Sequence, residues 1–145
     1  MIGRRGEAGE LDMALKRVLI ADDSRIFRIL TGAVLLEHGL EVLEATTGRE
    51  ALDLLLSQRP QLAILDGLMP LISGFDVIKQ AREAAPDYKP VIFIVTAVYK
   101  SRGYEAEARR QYQVEEYLQK PLEPEDLIAA VRRHFPELPQ LPEKQ

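Results

Sequence analysis

The chain has 145 residues, 46% of them hydrophobic and 29% charged, with a net charge of −4; this is the balance of one globular domain and not of a general nucleic-acid surface, which needs clustered positive charge. It holds no cysteine and only two histidines, so disulfides, iron–sulfur clusters and thiolate zinc sites are excluded and a histidine metal site is not expected. No run approaches the ~20 apolar residues of a membrane span, and the N-terminal "MIGRRGEAGELDMALK" lacks the apolar core of a signal peptide, which leaves the cytoplasm as the expected compartment.

Periodicity alternates along the chain. Residues 1–16 read as an extension. "RVLIA" (17–21) is a short apolar run that predicts a strand buried on both faces. Ser24 is a candidate N-cap for the helix that follows, in which Ile26, Phe27, Leu30, Ala33, Val34 and Leu36 fall near helical spacing and Gly39 is the stop. "EVLEA" (41–45) predicts strand 2, and Thr47-Gly48 leads into helix 2, "REALDLLLSQ", ended by Pro60. "LAILD" (62–66) predicts strand 3, and "GFDVIKQAREAA" (74–85) helix 3, stopped by Pro86.

"PVIFIVTA" (90–97) is the most apolar strand and is expected at the centre of the sheet. "SRGYEAEARRQY" (101–112) is polar almost all round and makes the weakest helix pattern. "VEEYLQ" (114–119) predicts strand 5, and "EPEDLIAAVRRHF" (123–135) helix 5, with Pro124 in the first turn. His38 and His134 read as helix C-terminal residues favoured by the dipole, and the pairs Arg4-Arg5, Arg109-Arg110 and Arg132-Arg133 as solvated faces. The Pro-rich end, 136–145, reads as a tail or a linker stub.

Five strands alternating with five helices predict an α/β domain over 17–135: a three-layer, doubly wound parallel sheet covered on both faces. On that scaffold Asp22 and Asp23 follow strand 1, Asp66 ends strand 3, Thr96 lies at the end of strand 4 and Lys120 follows strand 5. All five therefore collect at the carboxyl edge of the sheet, where binding crevices form. Three carboxylates within ~4–6 Å repel one another unless a cation sits among them, and Lys120 supplies a single charge. A hard divalent ion with oxygen ligands fits, and Mg²⁺ takes one or two carboxylates together with waters and phosphate oxygens. Carboxylate, metal, lysine and hydroxyl together suit phosphoryl transfer, with an ionised aspartate as nucleophile.

"VLIADDS", "ILDGLMPLISG", "VTA" and "YLQKP", in this order and spacing from about Arg17 to Phe135, resemble the receiver domains of bacterial two-component response regulators. The resemblance implies a flavodoxin-like five-stranded sheet in the order 2-1-3-4-5. It implies that Asp66 accepts a phosphoryl group from a sensor histidine kinase or phosphotransfer protein. Asp22 and Asp23 then organise Mg²⁺ (or Mn²⁺), with Asp23 and the backbone carbonyl of Leu68 as direct ligands beside Asp66. Thr96 matches the hydroxyl that moves toward the phosphoryl group, Lys120 the lysine that pairs with it, and Pro121 the proline after a cis bond. Tyr117 matches the aromatic that turns inward with Thr96, although packing alone would also account for an aromatic there.

The implied activity is that of a signalling phospho-acceptor, catalysing only its own phosphorylation and slow dephosphorylation. Output is expected through the surface of helix 4, strand 5 and helix 5, toward a downstream protein, a linked output domain or a second copy in a homodimer, without direct nucleic-acid or membrane contact. The chain departs from the family in a longer Thr96–Lys120 segment and in Gln113-Val114 where Gly-Ala is usual. It also has Ala130 where winged-helix regulators commonly carry arginine. Leu68 and Val98 are apolar where the family tunes phosphoryl loss, which predicts slow autodephosphorylation because neither side chain orients a water. A competing reading, a receiver-like interaction module working without phosphorylation, predicts loss of acidic-site residues, and none is lost. An aspartate-nucleophile phosphatase would want an acid where Leu68 stands, and an FMN protein a less acidic loop than "DDSRIFR".

Overall fold

The computed structural model describes residues 14–97, 106, 108–138 and 141. Five parallel strands, β1 (Arg17–Ala21), β2 (Glu41–Ala45), β3 (Leu62–Asp66), β4 (Val91–Ala97) and β5 (Glu116–Lys120), form one sheet in the order β2-β1-β3-β4-β5. The helices are α1 (Arg25–Glu37), α2 (Gly48–Gln58), α3 (Gly74–Ala84), a π-helical turn (Ala108–Tyr112) and α4 (Pro124–His134), the last being the fifth helix of the sequence pattern.

Alternation along the strands divides the core in two. Leu19, Ala21, Ala63, Leu65, Ile92, Ile94 and Tyr117 pack toward α2 and α3. Val18, Ile20, Leu62, Ile64, Phe93, Val95 and Leu118 pack toward α1 and α4. Inner strands apolar on both faces are what a sheet covered by helices on both sides demands. The chain leaves β1 for one edge and returns to continue toward the other, so strand order reverses between β1 and β3. Their carboxyl ends hold Asp22, Asp23 and Asp66.

The caps follow the sequence pattern. Ser24 Oγ accepts from the Phe27 N–H (3.2 Å), Thr47 Oγ1 from Glu50 (3.1 Å) and Ser73 Oγ from Asp76 (3.2 Å). Gly39 follows α1 at φ +81°, and Arg59 ends α2 in the left-handed conformation just before Pro60.

Four expectations are corrected. The central strand is β3, not β4; β3 is buried at all five positions although it ends in Asp66, whereas the more apolar β4 is partly exposed at both ends, so apolarity does not rank the strands. Strand 5 starts two residues later than its apolar pattern suggests. Gln113 has φ +55°, and Glu115 meets Ile92 irregularly, its N–H donating to the Ile92 carbonyl at 2.9 Å while its carboxylate accepts from the Ile92 N–H at 2.7 Å. Lys120 is the last residue of β5 and does not follow it. Arg133 and His134 are not merely solvated or dipole-facing. Arg133 grips Glu116 through two bonds of 3.0 Å and His134 Nε2 lies 2.8 Å from the same carboxylate. His38 Nδ1 does sit at its helix end, 2.9 Å from the Val34 carbonyl.

Of the fourth predicted helix, 101–105 and 107 lie outside the described residues, as do Val98, residues 1–13 and most of the tail. Ala108–Tyr112 is π-helical, with the Tyr112 ring tilted at 44° against Phe75, centroids 5.1 Å apart, and the Tyr112 carbonyl taken by Arg82. Leu138 of the tail is buried against α4 and accepts from Arg132 Nε through its carbonyl (3.4 Å).

Candidate functional site

The carboxyl edge brings Asp22, Asp23 and Asp66 together, with one oxygen of each lying within 4.8 Å of the others. Asp22 is fully buried, Asp66 is 8% exposed and Asp23 faces solvent. Asp22 Oδ1 accepts from the Ser24 N–H at 2.8 Å, and Asp66 Oδ1 from the Leu68 N–H at 3.0 Å. Each buried carboxylate is thus fixed through one oxygen, which directs the other into the cluster.

Lys120 Nζ reaches from β5 to 2.7 Å from Asp22 Oδ2, without hydrogen-bond alignment, and 3.8 Å from Asp66 Oδ2. It also lies 4.6 Å from the centre of the Phe27 ring. Among the described residues, one ammonium therefore faces three carboxylates. Burial pushes the Asp66 carboxyl above its ordinary pKa, and the charges of Asp22 and Asp23 push the same way against the Leu68 N–H and Lys120. Thr96, at the end of β4, is 2% exposed, and among the described residues its hydroxyl has no hydrogen-bond partner. Buried polar atoms are ordinarily paired, so the Thr96 hydroxyl, beside an Asp22 Oδ2 met by the Lys120 ammonium alone, marks a place prepared for a further partner.

Two close approaches hold the loop after Asp66. A Cβ at Gly74 would lie 2.5 Å from the Asp66 carbonyl oxygen, and one at Gly48 would lie 2.3 Å from the Ile72 carbonyl oxygen. The first turns of α3 and α2 thus clamp residues 67–73 from two sides. Within that loop Leu71 is fully exposed at φ +69°, and the Lys120–Pro121 peptide is cis as expected. Tyr117 is 7% exposed and packs in the core on the α2–α3 side of the sheet.

Sequence reasoning missed Phe27, Arg28 and Gly48. Phe27 and Arg28 stand three and four residues after Ser24, one helical turn on and over the same edge of the sheet, which was the available signal.

The donor set is all oxygen: three carboxylates at one point, one of them solvent-facing. That is the chemistry of a hard divalent cation and not of a soft metal.

The fold that carries this site is shared with known proteins. Residues 18–132 match the response regulator receiver domain family, and the chain belongs to that family. Among relatives, it is 36% identical over 116 residues to the response regulator MprA of Mycolicibacterium vanbaalenii, covering 80% of this chain and 48% of that protein. The chain thus spans about half the length of the curated relatives it matches. Among solved structures, the receiver domain of AraT, a response regulator from Geobacillus stearothermophilus, superposes with a TM-score of 0.74 at 35% identity, covering 86% of this chain and 95% of that one. A CheY-like receiver domain protein from Methanospirillum hungatei superposes with a TM-score of 0.75 at 27% identity, covering 86% and 97%. The chain is therefore a signalling domain of two-component systems, a class that works with histidine kinases and output domains.

Proposed function

We propose that Asp66 accepts a phosphoryl group from the phosphohistidine of a sensor kinase or phosphotransfer protein, in a reaction that requires Mg²⁺ or Mn²⁺. The observation that carries this reading is the electrostatic imbalance at the carboxyl edge: among the described residues, three carboxylates within 4.8 Å stand against one lysine, beside a buried hydroxyl without a partner. A divalent cation held by Asp22, Asp23, Asp66 and the Leu68 carbonyl would supply the missing positive charge and neutralise phosphoryl oxygens.

The chain's own residues do the rest. The ionised Asp66 carboxylate attacks phosphorus without a general base, forming an acyl phosphate. The phosphorus–nitrogen bond breaks and its electron pair returns to the donor imidazole. Lys120, 3.8 Å from Asp66 Oδ2, has only to shift from Asp22 to pair with the incoming charge, and the Thr96 hydroxyl donates to a phosphoryl oxygen. Tyr117, three residues before Lys120 on β5, would couple Thr96 to the surface formed by the Ala108–Tyr112 region, β5 and α4. That surface would meet a downstream protein, an output domain of a longer chain, or a second copy. The exposed apolar residues Ile26, Ile29 and Leu30 of α1, which starts two residues after Asp23, offer a partner surface beside the site. A cytoplasmic location belongs to the same reading.

Incubation with phosphoramidate and Mg²⁺, followed by intact mass, tests it. The expected result is one phosphoryl group per chain, none without divalent cation, and none on Asp66→Asn. With Leu68 unable to orient water, the phosphorylated form should persist for minutes or longer, and decay within seconds would contradict that part. A folded protein that takes no phosphoryl group would point instead to an unmodified interaction module.

A further inference from the structure

We infer that Arg28 is a positioning residue for the cation site, acting through the peptide that joins Asp22 to Asp23. The inference rests on the reading of that acidic cluster as a divalent-cation site.

Beside its Lys120 ion pair, Asp22 is held by three hydrogen bonds. Its N–H donates to the Ala45 carbonyl at 3.0 Å, its Oδ1 accepts from the Ser24 N–H at 2.8 Å, and its carbonyl accepts from Arg28 Nη1 at 2.9 Å. The first two bonds come from the main chain. The third comes from a side chain on α1 that is only 12% exposed, and its Nε is held in turn by Glu44 Oε1 at 3.0 Å. The Arg28 guanidinium thus spans from β2 to the turn after β1, with one arm on each.

The carbonyl it grips belongs to the Asp22–Asp23 peptide. Rotation of that peptide sets the direction of the Asp23 side chain, which is exposed and so is not fixed by packing. Arg28 therefore holds the acidic pair in register with Asp66 while its charge is matched by Glu44 and not by the three carboxylates. A planar fork can bond two acceptors at fixed separation, and an ammonium cannot hold both in that geometry. Charge and geometry can accordingly be separated by substitution.

The test is a Mg²⁺ titration of the full chain by ¹H–¹⁵N NMR, run beside thermal unfolding without divalent cation. Arg28→Lys keeps the charge and loses the fork. It is expected to weaken Mg²⁺ binding about tenfold, the size usual for residues that orient ligands. Glu44→Gln, at a half-exposed site, is expected to weaken it by about threefold, and the double variant no further than Arg28→Lys alone, because the two act as one unit. A lowered unfolding temperature with unchanged Mg²⁺ affinity would overturn the inference and leave Arg28 as a brace between α1 and β2. If Arg28→Lys does not fold, unchanged affinity in Glu44→Gln overturns it equally. Absence of saturable Mg²⁺ shifts in the unsubstituted protein would overturn the cation-site reading itself, an outcome distinct from normal binding that survives both substitutions.

Discussion

The two edges of the sheet treat charge in opposite ways. At the amino edge, charges and polar groups meet their partners. Glu116 is held by Arg133 and His134, Arg17 by Glu41 and the Gln58 carbonyl, and the Tyr88 hydroxyl donates to the Pro60 carbonyl at 2.6 Å. At the carboxyl edge, among the described residues, three carboxylates crowd one lysine and the buried Thr96 hydroxyl has no partner. Two carboxylates make the contrast explicit: the Arg133 bond drives the Glu116 pKa down against burial, whereas burial drives that of Asp66 up. One edge is built for stability, and the other gives up stability to keep a site open.

Substitutions can break or sharpen that contrast. The largest effect is expected from Gly74→Ala. Its Cβ would meet the Asp66 carbonyl oxygen at 2.5 Å, so the α3 start or the acceptor loop must move. A loss of about 3 kcal/mol in urea unfolding is expected, in the range of overpacking, with slower phosphorylation. Wild-type behaviour would show that the loop is not clamped.

Glu116→Ala should cost about 2 kcal/mol, the range of charge-assisted hydrogen bonds, discounted because Arg133 is 55% exposed. Since the Glu116 pKa is lowered on folding, the stability it contributes is present above the ordinary value of 4.5. It is lost as pH falls through that value toward the lowered one. The gap between wild type and variant should therefore narrow in acid, and unfolding curves at several pH values would reveal a gap that does not.

Asp66→Asn should act in the opposite direction, raising stability by about 1 kcal/mol without divalent cation, because one of three mutually repelling carboxylates is removed. A loss of stability there would erase the contrast between the edges. The smallest effect is expected from Tyr88→Phe, which leaves the Pro60 carbonyl without its donor for about 1 kcal/mol or less in the same assay.

Much of this architecture is written in local sequence. β1, β2 and β3 have the predicted bounds because short apolar runs between turn residues have few alternatives in a doubly wound sheet. The convergence of Asp22, Asp23, Asp66 and Lys120 was legible for a topological reason, since parallel strands deliver their last residues to one edge. What stayed hidden depends on how elements cross. Arg28 and Phe27 look like ordinary α1 residues until α1 is laid over the end of β1. Arg133 and His134 look like a basic helix end until Glu116 is placed beneath them. The start of β5 was obscured because Gln113 takes a left-handed conformation more usual for glycine, so the regular strand begins at Glu116 although the Glu115 N–H already donates to the Ile92 carbonyl.

The most direct test of the central claim is an NMR comparison before and after adding Mg²⁺ with beryllofluoride, a phosphoryl mimic. The account predicts Mg²⁺-dependent shifts at Asp22, Asp66, Thr96 and Lys120, little change around Glu116 and Arg133 at the far edge, and no response from Asp66→Asn. Shifts that persist in Asp66→Asn, or a folded protein that shows none, would contradict it.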